Sequence, residues 1–144
     1  MAEGRDAERI ASLSGELGYP ADASAVRERL NRLGRSERDC IFVADSADRG
    51  AIGWIHVAEQ DLVESDTRCE ILGLIVDRVA RRSGAGRSLI AAAEQWARGR
   101  DLKAITVRSN VTRQGAHPFY EHVGFVRTKT QHVFRKPLAG EQGV

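Results

Sequence analysis

The sequence has few cysteines, little net charge and no long apolar run. Of its 144 residues only two are cysteines, Cys40 and Cys69, and neither has a second cysteine or a histidine at metal-ligand spacing. Isolated cysteines of this kind are typical of reduced thiols packed in strands, and we expect no metal site. The formal net charge of +2 is too small to predict nucleic-acid binding, so partners must be inferred from local features.

The apolar content is divided into short stretches. None approaches the roughly 20 residues of a membrane-spanning helix, so we expect no membrane partner. The N-terminal residues MAEGRDAERI lack the apolar core of a secretory signal, which favours a cytoplasmic location. A chain of 144 residues is long enough to bury a core of its own, and we expect a single domain over residues 1–144.

Helix and strand patterns alternate along the chain. Apolar spacings of three and four predict a helix from Ala7 to Leu17. A second helix is capped by Asp22 or Ser24 and ends near Gly34. Four β-rich runs follow, and the first two are close enough to form a hairpin. These runs are CIFVAD at 40–45, AIGWIHV at 51–57, CEILGLIVD at 69–77 and AITVRSN at 104–110.

The third run is nearly continuous in apolar residues, which predicts a strand buried on both faces in the middle of a sheet. Gly73 within it is expected to mark a bulge or a close backbone approach. A helix ending near Gly99 separates this strand from the next, an order that requires a parallel pair. A short helix over about 114–122 follows, and the tail VRTKTQHVFRKPL predicts two short antiparallel strands ending at Pro137. The fold class is therefore α+β with a mixed, mostly antiparallel sheet flanked by helices.

The segment RRSGAGR places arginines and glycines between the central strand and a helix. A helix start offers amide N–H groups without intrahelical partners, and Gly84 and Gly86 allow an anion to approach them. Arg81, Arg82 and Arg87 add positive charge, which favours a diphosphate over a single carboxylate. The alternative is a tight turn with solvated arginines, since both GxxxxGK[ST] and GxGxxG are absent.

This segment resembles the acetyl-CoA-binding motif (Gln/Arg)-x-x-Gly-x-(Gly/Ala) of the GCN5-related N-acetyltransferase (GNAT) superfamily. The segment RSNVTRQGAHPFYEHVGF resembles a later motif of the same superfamily, an asparagine at a strand end followed by an FYxxxGF helix. The resemblance covers about 41–138 and implies the GNAT fold, in which a parallel pair of strands splays apart. The superfamily usually opens with a strand before its first helix. Either that strand is missing, which leaves the sheet edge at 40–45 exposed or covered by a partner, or another segment replaces it.

The resemblance implies an N-acetyltransferase that uses acetyl-CoA as acetyl donor. The pantetheine arm would lie along the main chain of Leu74, Ile75 and Val76, and Asn110 would contact the same arm. The pyrophosphate would bind the amides of the glycine-rich turn. The cofactor-binding residues implied in that turn are Arg81, Arg82, Ser83, Gly84, Ala85, Gly86 and Arg87.

Two residues are candidates for proton transfer. Glu70 precedes Gly84 by the distance that the base glutamate has in histone acetyltransferases of the superfamily, and it would take a proton from the acceptor amine. Its alternative is an ordinary polar residue at a strand end. Tyr120 matches the tyrosine that in many members lies near the cofactor sulfur and protonates the thiolate, so it would be both catalytic and cofactor-binding. Its alternative is a packed helix aromatic.

These features predict direct transfer of an acetyl group to the primary amine of a small, cationic molecule. The acidic run EQDLVESD before Glu70 would favour a cation, although such a run is usually a solvated loop. Alternatives are a protein or peptide acetyltransferase and a non-catalytic acyl-CoA-binding regulatory module. His56 lies on a strand whose acceptor-facing side the sequence leaves open. We expect a small-molecule amine as partner and no nucleic acid, and a homodimer is possible because of the missing first strand.

Overall fold

The computed structural model describes residues 1–16, 21–81, 83–110 and 116–139. The chain divides into two compact units, Met1–Arg108 and Ser109–Val144, and each is described by itself. The single domain expected from the sequence stays a prediction.

The first unit contains the sheet. Two helices come first and a third follows the central strand, as the sequence predicts. Asp22 caps the second helix and Gly34 is its last residue, while Leu17 lies outside the described residues. The elements in chain order are a 3-10 turn at Gly4–Asp6, α1 (Ala7–Glu16), α2 (Ala23–Gly34), β1 (Asp39–Ser46), β2 (Gly50–Gln60), β3 (Arg68–Val76), a 3-10 turn at Arg78–Ala80, α3 (Ala85–Gly99) and β4 (Ile105–Val107).

The sheet has four strands in the order β1-β2-β3-β4. β1 pairs with β2 and β2 with β3 in antiparallel fashion, whereas β3 and β4 are parallel. The connection between the parallel strands contains α3. This arrangement confirms the predicted α+β class and the mixed sheet with one parallel pair.

The helices cover opposite faces of the sheet. Trp54 packs against a cluster of buried residues from α1 and α2. A Cβ built on the adjacent Gly53 would lie 3.3 Å from Leu89 of α3. Successive strand residues point to opposite faces, so β2 presents Trp54 to what we name the α1/α2 face and Gly53 to the α3 face. The α1/α2 cluster consists of Ala7, Ile10, Ala11 and Val26.

Both cysteines are buried thiols in strands. Cys40 is 3% exposed on β1 and Cys69 is fully buried on β3. Burial raises the pKa of both thiols, that of Cys69 to about 11. In the described ranges no cluster of His, Cys, Asp and Glu side chains could hold a metal ion.

The outer edge of the sheet is β1. No strand precedes α1 within residues 1–16. One backbone bond joins the first residues to this edge, from Ala2 N to Ile41 O at 2.8 Å. The pairing of β1 with β2 also shifts between Ala44 and Asp45, which places a bulge near the end of the strand.

The second unit contains helix α4 (Ala116–His122) and the tail. Gly124 follows the helix with a left-handed φ of 102°, and Phe125 N donates to Tyr120 O at 2.9 Å. The prediction of two strands in the tail is wrong for residues 123–139, which form none. Alternation supplies the side-chain pattern of a strand, but a strand also needs a neighbouring strand for its backbone groups.

No helix within the described ranges has the length and apolar character needed to cross a bilayer. The cytoplasmic location expected from the sequence stays a prediction.

Candidate active site

The central strand β3 carries a bulge in its middle. His56 of β2 lies opposite Gly73, but the next residue, Val57, lies opposite Ile71. Leu72 therefore has no residue opposite it and is the extra residue of the bulge. The sequence prediction of a bulge at this glycine is confirmed.

The pairing between β3 and β4 stops at the bulge. It covers Cys69 to Ile71 of β3 and ends at the pair of Ile71 with Val107. Beyond that point, none of the residues described in the first unit continues β4 along β3, while the β2 side stays paired as far as Val76. Within the first unit, backbone groups on the β4 side of 73–76 therefore have no strand partner, and an unpaired strand edge of this kind can pair with a ligand that carries amide groups. The pantetheine arm of acetyl-CoA has such groups, and the predicted residues Leu74, Ile75 and Val76 lie in this stretch.

Gly73 is required by the space beside it. A Cβ built at this position would lie 2.7 Å from the Trp54 ring, closer than real Cβ contacts come. The six-membered part of the indole therefore lies directly beside the Gly73 backbone at the bulge, on the α1/α2 face. Any side chain at this glycine would displace the tryptophan.

Gly84 is required by its backbone conformation. Its φ of 89° is left-handed, and a Cβ built on it would meet nothing within 4 Å. As the N-cap of α3 it precedes the first helical bond, from Ser88 N to Gly84 O at 2.9 Å. The amides of Ala85, Gly86 and Arg87 come before that bond and have no intrahelical acceptor. They fit the predicted anion cradle.

Two of the three arginines predicted for this turn lie in the described part of the chain. Arg81 and Arg87 are exposed, so their charges can move toward a bound anion. Ser83 turns its hydroxyl inward and donates to Ala80 O. Arg82, which was predicted to belong to the cradle, lies outside the described residues.

A buried ion pair anchors the strand end that leads into the turn. The Asp77 carboxylate accepts from Arg9 Nη2, and its backbone N donates to Ile52 O at 2.7 Å. Arg9 Nε also donates to Ala51 O at 2.7 Å. Asp77 is 7% exposed, so the bond is largely protected from water. Sequence analysis missed this anchor, because nothing in the pattern links two charges that are 68 positions apart.

Glu70 lies on the same face as Trp54, directly opposite Ala58 of β2. Its side chain is 11% exposed, and its Oε1 lies 3.4 Å from Arg108 Nε. That separation is an ion-pair contact without hydrogen-bond geometry, and Oε1 has no hydrogen-bond partner among the described residues. Arg108 is largely exposed. A nearly buried carboxylate oxygen is therefore available to a donor that enters from this face.

Two further buried polar atoms lack partners within the described part of the chain, Trp54 Nε1 and Arg68 Nε. Arg68 lies two residues before Glu70 on β3 and thus shares its face. All three unsatisfied atoms belong to the α1/α2 face of β2 and β3. Buried polar atoms without partners are rare in folded proteins and commonly lie at functional sites.

Tyr120 and Asn110 belong to the second unit. The Tyr120 ring makes edge-to-face contacts with Phe119 and Phe125, at centroid distances of 5.4 and 5.7 Å. The carbonyl of Asn110 lies 3.0 Å from His117 Nε2. The first unit thus contains the bulge, Glu70 and the glycine-rich turn, with Glu70 near the bulge and the turn beyond the end of β3, while the other two predicted residues have local contacts in the second unit.

The acidic loop is partly neutralised. Thr67 and Arg38 donate to the Asp61 carboxylate at 2.8 and 2.6 Å and lower its pKa. Glu59 pairs with Arg100 at 2.8 Å. Glu64 and Asp66 are exposed and remain the acidic side chains of the loop that are open to a cation.

The sequence profile of the Acetyltransferase (GNAT) family matches residues 7–125. The chain therefore belongs to this family, and this membership accounts for both its fold and its two motifs. The predicted N-acetyltransferase activity and acetyl-CoA as its acetyl donor are confirmed by this assignment.

Relatives of known class extend the comparison. The chain is 28% identical over 126 residues to aminoglycoside N(6')-acetyltransferase type 1 of Stenotrophomonas maltophilia, covering 85% of this chain and 82% of that protein. It is 30% identical over 101 residues to the protein of the same name from Klebsiella aerogenes, covering 68% and 66%.

Solved structures agree in fold. AAC(6')-Iy, in complex with the bisubstrate analogue CoA-S-monomethyl-acetylneamine, has a TM-score of 0.82 at 20% identity, with 95% of both chains covered. The aminoglycoside 6'-N-acetyltransferase AAC(6')-Ih of Acinetobacter baumannii has a TM-score of 0.82 at 18% identity, with 96% of both chains covered. At these identities the likeness shows the shared fold.

Proposed function

We propose that the protein transfers the acetyl group of acetyl-CoA directly to the primary amine of a small, cationic molecule. The observation that carries this proposal is the end of β3–β4 pairing at the bulge, beside the nearly buried carboxylate of Glu70. An open strand edge can hold the donor, and an unsatisfied carboxylate next to it can receive an ammonium group. The names of the two curated relatives support an aminoglycoside as a first acceptor to test.

The donor would bind through main-chain groups. Leu74, Ile75 and Val76 would pair with the pantetheine arm, and Asn110 would contact the same arm. The turn from Arg81 to Arg87 would hold the pyrophosphate, with the amides at the start of α3 as the main donors. In this scheme backbone conformation matters more than side-chain identity.

The reaction needs a neutral amine and a proton for the thiolate. Glu70 would accept one proton from the ammonium group. The nitrogen then forms a bond with the thioester carbonyl carbon, and the C–S bond breaks with its electron pair on sulfur. Tyr120 would donate a proton to that sulfur.

The acceptor would approach from the α1/α2 face, where the unsatisfied atoms lie. Glu64 and Asp66 are exposed in the loop that leads into β3, and their charge would favour a cation. Arg38 and Arg100 offset the other two acids of the loop, so the attraction is expected to be moderate and salt-dependent.

We also propose a homodimer in which the tail takes part. Four large apolar side chains of the tail are between 76% and 92% exposed, which is unusual for a monomer. A second copy of the chain is the simplest cover for them. Light scattering on the wild type and on a Val133→Ser, Phe134→Ser variant would test it, and two monomers of equal mass would contradict it. The four residues are Val126, Val133, Phe134 and Leu138.

Calorimetric titration with acetyl-CoA tests the donor site. Gly84→Glu should abolish binding, because the side chain opposes the left-handed φ and places a carboxylate at the cradle. Gly99→Glu adds the same group at the other end of α3, where a Cβ meets nothing within 4 Å, and should bind as the wild type does. Equal binding by both variants would exclude the turn as the pyrophosphate site.

Thiol release tests the acceptor class. Neamine, spermidine and a lysine peptide would be compared at saturating acetyl-CoA. The proposal expects the highest kcat/KM with one of the two small polyamines. A protein that binds acetyl-CoA but releases thiol only with the peptide would favour the alternative of a peptide acetyltransferase.

A further inference from the structure

We propose that His56, held by Asp39, is a second proton acceptor in the transfer reaction. This inference rests on the proposed function. It starts from a requirement of the chemistry, because an ammonium group loses two protons when it becomes an amide. Glu70 can hold one of them, and the other must pass either to the departing sulfur or to a second base near the nitrogen.

His56 and Asp39 form a largely buried pair on neighbouring strands. His56 Nε2 lies 2.8 Å from Asp39 Oδ1, and the two side chains are 18% and 19% exposed. Ser36 Oγ donates to the other carboxylate oxygen at 2.7 Å. The Asp39 carboxylate therefore accepts hydrogen bonds from both Ser36 and His56. These two bonds hold the carboxylate, and with it the imidazole, in one orientation.

The bond to Asp39 determines which ring nitrogen can act as a base. An ionised carboxylate only accepts hydrogen bonds, so Nε2 must carry the proton of the neutral ring. Nδ1 then holds the lone pair, and it has no hydrogen-bond partner among the described residues. A carboxylate behind the protonated nitrogen also holds the imidazole in one orientation, so the Nδ1 lone pair keeps a fixed direction.

The register places His56 beside the reaction site. It lies directly opposite Gly73, at the bulge where β4 stops pairing. Facing residues on antiparallel strands have Cβ positions roughly 5 Å apart, and the Trp54 ring fills the space over the glycine, so the imidazole lies beside the indole on the same face. Glu70 lies on the same face, two pairs along the ladder, opposite Ala58.

The other groups around His56 do not supply a competing base. β1 contributes Asp39, and β3 contributes Glu70 and the permanently charged Arg68 to this face. The buried residues of α1 and α2 are apolar apart from Ser14, whose hydroxyl donates to Ile10 O. Arg9 of α1 is already paired with Asp77. The titratable carboxylates facing the imidazole are thus Asp39 and Glu70.

The proton balance closes with this assignment. Glu70 takes the first proton and the neutral nitrogen bonds to the carbonyl carbon. As the C–S bond breaks, the nitrogen gives its second proton to His56 Nδ1. Tyr120 protonates the sulfur, and its phenolate and the two bases exchange protons with solvent. The net change is one amide, one thiol and one proton released.

The test compares kcat and KM of the wild type with those of His56→Gln and Asp39→Asn, with neamine and spermidine as acceptors. His56→Gln should lower kcat about 100-fold, the usual size of a general-base contribution, with little change in the KM for acetyl-CoA. Asp39→Asn should lower kcat less, because the ring remains but loses the charge behind it. His132→Gln, an exposed histidine of the tail, is the matched control and should keep wild-type rates.

A structural role for His56 predicts other results. Added imidazole should restore part of the kcat of His56→Ala only if the ring transfers protons, and the acidic limb of the kcat–pH profile should change only in the two pair variants. The proposal would be overturned if the folded His56→Gln and Asp39→Asn variants kept the kcat and the kcat–pH profile of the wild type and added imidazole did not raise the kcat of His56→Ala. A wild type that binds acetyl-CoA but acetylates no amine would overturn the proposed function itself, and this inference with it.

Discussion

The two faces of the sheet differ in composition: the α3 face buries apolar side chains, whereas the α1/α2 face also buries polar atoms. On the α3 face, Ile55, Val57 and Cys69 are fully buried and lie under an apolar helix surface. On the α1/α2 face, apolar residues share the surface with three buried polar atoms that have no partner in the described ranges. The first face is satisfied in the free protein. The second leaves these atoms unsatisfied in the free protein, and it is the face on which we propose that the acceptor binds.

The largest effect should follow from Glu70→Gln. Removal of the base should lower kcat by about 100-fold or more, since general-base catalysis contributes that much. The free energy of unfolding should stay the same or rise, because a buried charge is replaced by a neutral group of the same shape. Thiol-release kinetics and urea unfolding would measure both quantities. A large loss of stability would mean that the carboxylate belongs to the structural framework.

The opposite pattern is expected for Ile55→Ala on the α3 face. A fully buried isoleucine reduced to alanine should cost about 2–5 kcal/mol of unfolding free energy. The kcat of the folded fraction should change little, because the side chain points away from the α1/α2 face. Val63→Ala, at a fully exposed aliphatic residue, is the control and should leave stability unchanged. A loss of kcat in the folded Ile55→Ala protein would remove the proposed separation of the two faces.

The next largest effect is expected from alkaline pH, which should lower the free energy of unfolding through Cys69 on the α3 face. The Cys69 thiol has its pKa raised from 9.0 to about 11 by burial, so it stays protonated in the fold while the unfolded chain ionises. Its contribution is full below pH 9 and is lost as pH rises toward 11, by about 2–3 kcal/mol. Urea midpoints between pH 8 and 11 would measure this loss. Cys69→Ala should show a shallower decline, and equal slopes would exclude the thiol as the cause.

The smallest effect belongs to the acidic loop outside both faces. Arg38→Ala removes a partner of Asp61 but should leave the free energy of unfolding nearly unchanged, because the pair is exposed and screened by water. The KM for a cationic acceptor should fall slightly, since one more acid of the loop becomes available. A rise in that KM would indicate that the loop does not contact the acceptor.

Local patterns predicted the features that depend on neighbouring residues. The boundaries of β1, β2 and β3 follow apolar runs, and the bulge follows a glycine within such a run. The anion turn is recognisable because glycines and arginines are consecutive in sequence. Membership of the family could be inferred from two motifs in the right order.

Features that depend on distant residues were not predictable in this way. The anchor of Arg9 on Asp77 joins positions whose local patterns are unrelated. The side of the sheet that His56 faces depends on how β2 packs between the two helix layers. The tail has the alternation of a strand but forms none in residues 123–139, because alternation alone does not provide a pairing partner.

The single bond from Ala2 N to Ile41 O has a consequence for aggregation. Without a first strand, β1 presents an edge that could recruit strands from other chains. The pairing of β1 with β2 shifts between Ala44 and Asp45, where β2 carries one extra residue, and the exposed carboxylate of Asp45 adds charge near the end of β1. The N-terminal residues and this irregular end together protect the edge. A tag or truncation that disturbs the first residues would therefore be expected to reduce solubility before it affects catalysis.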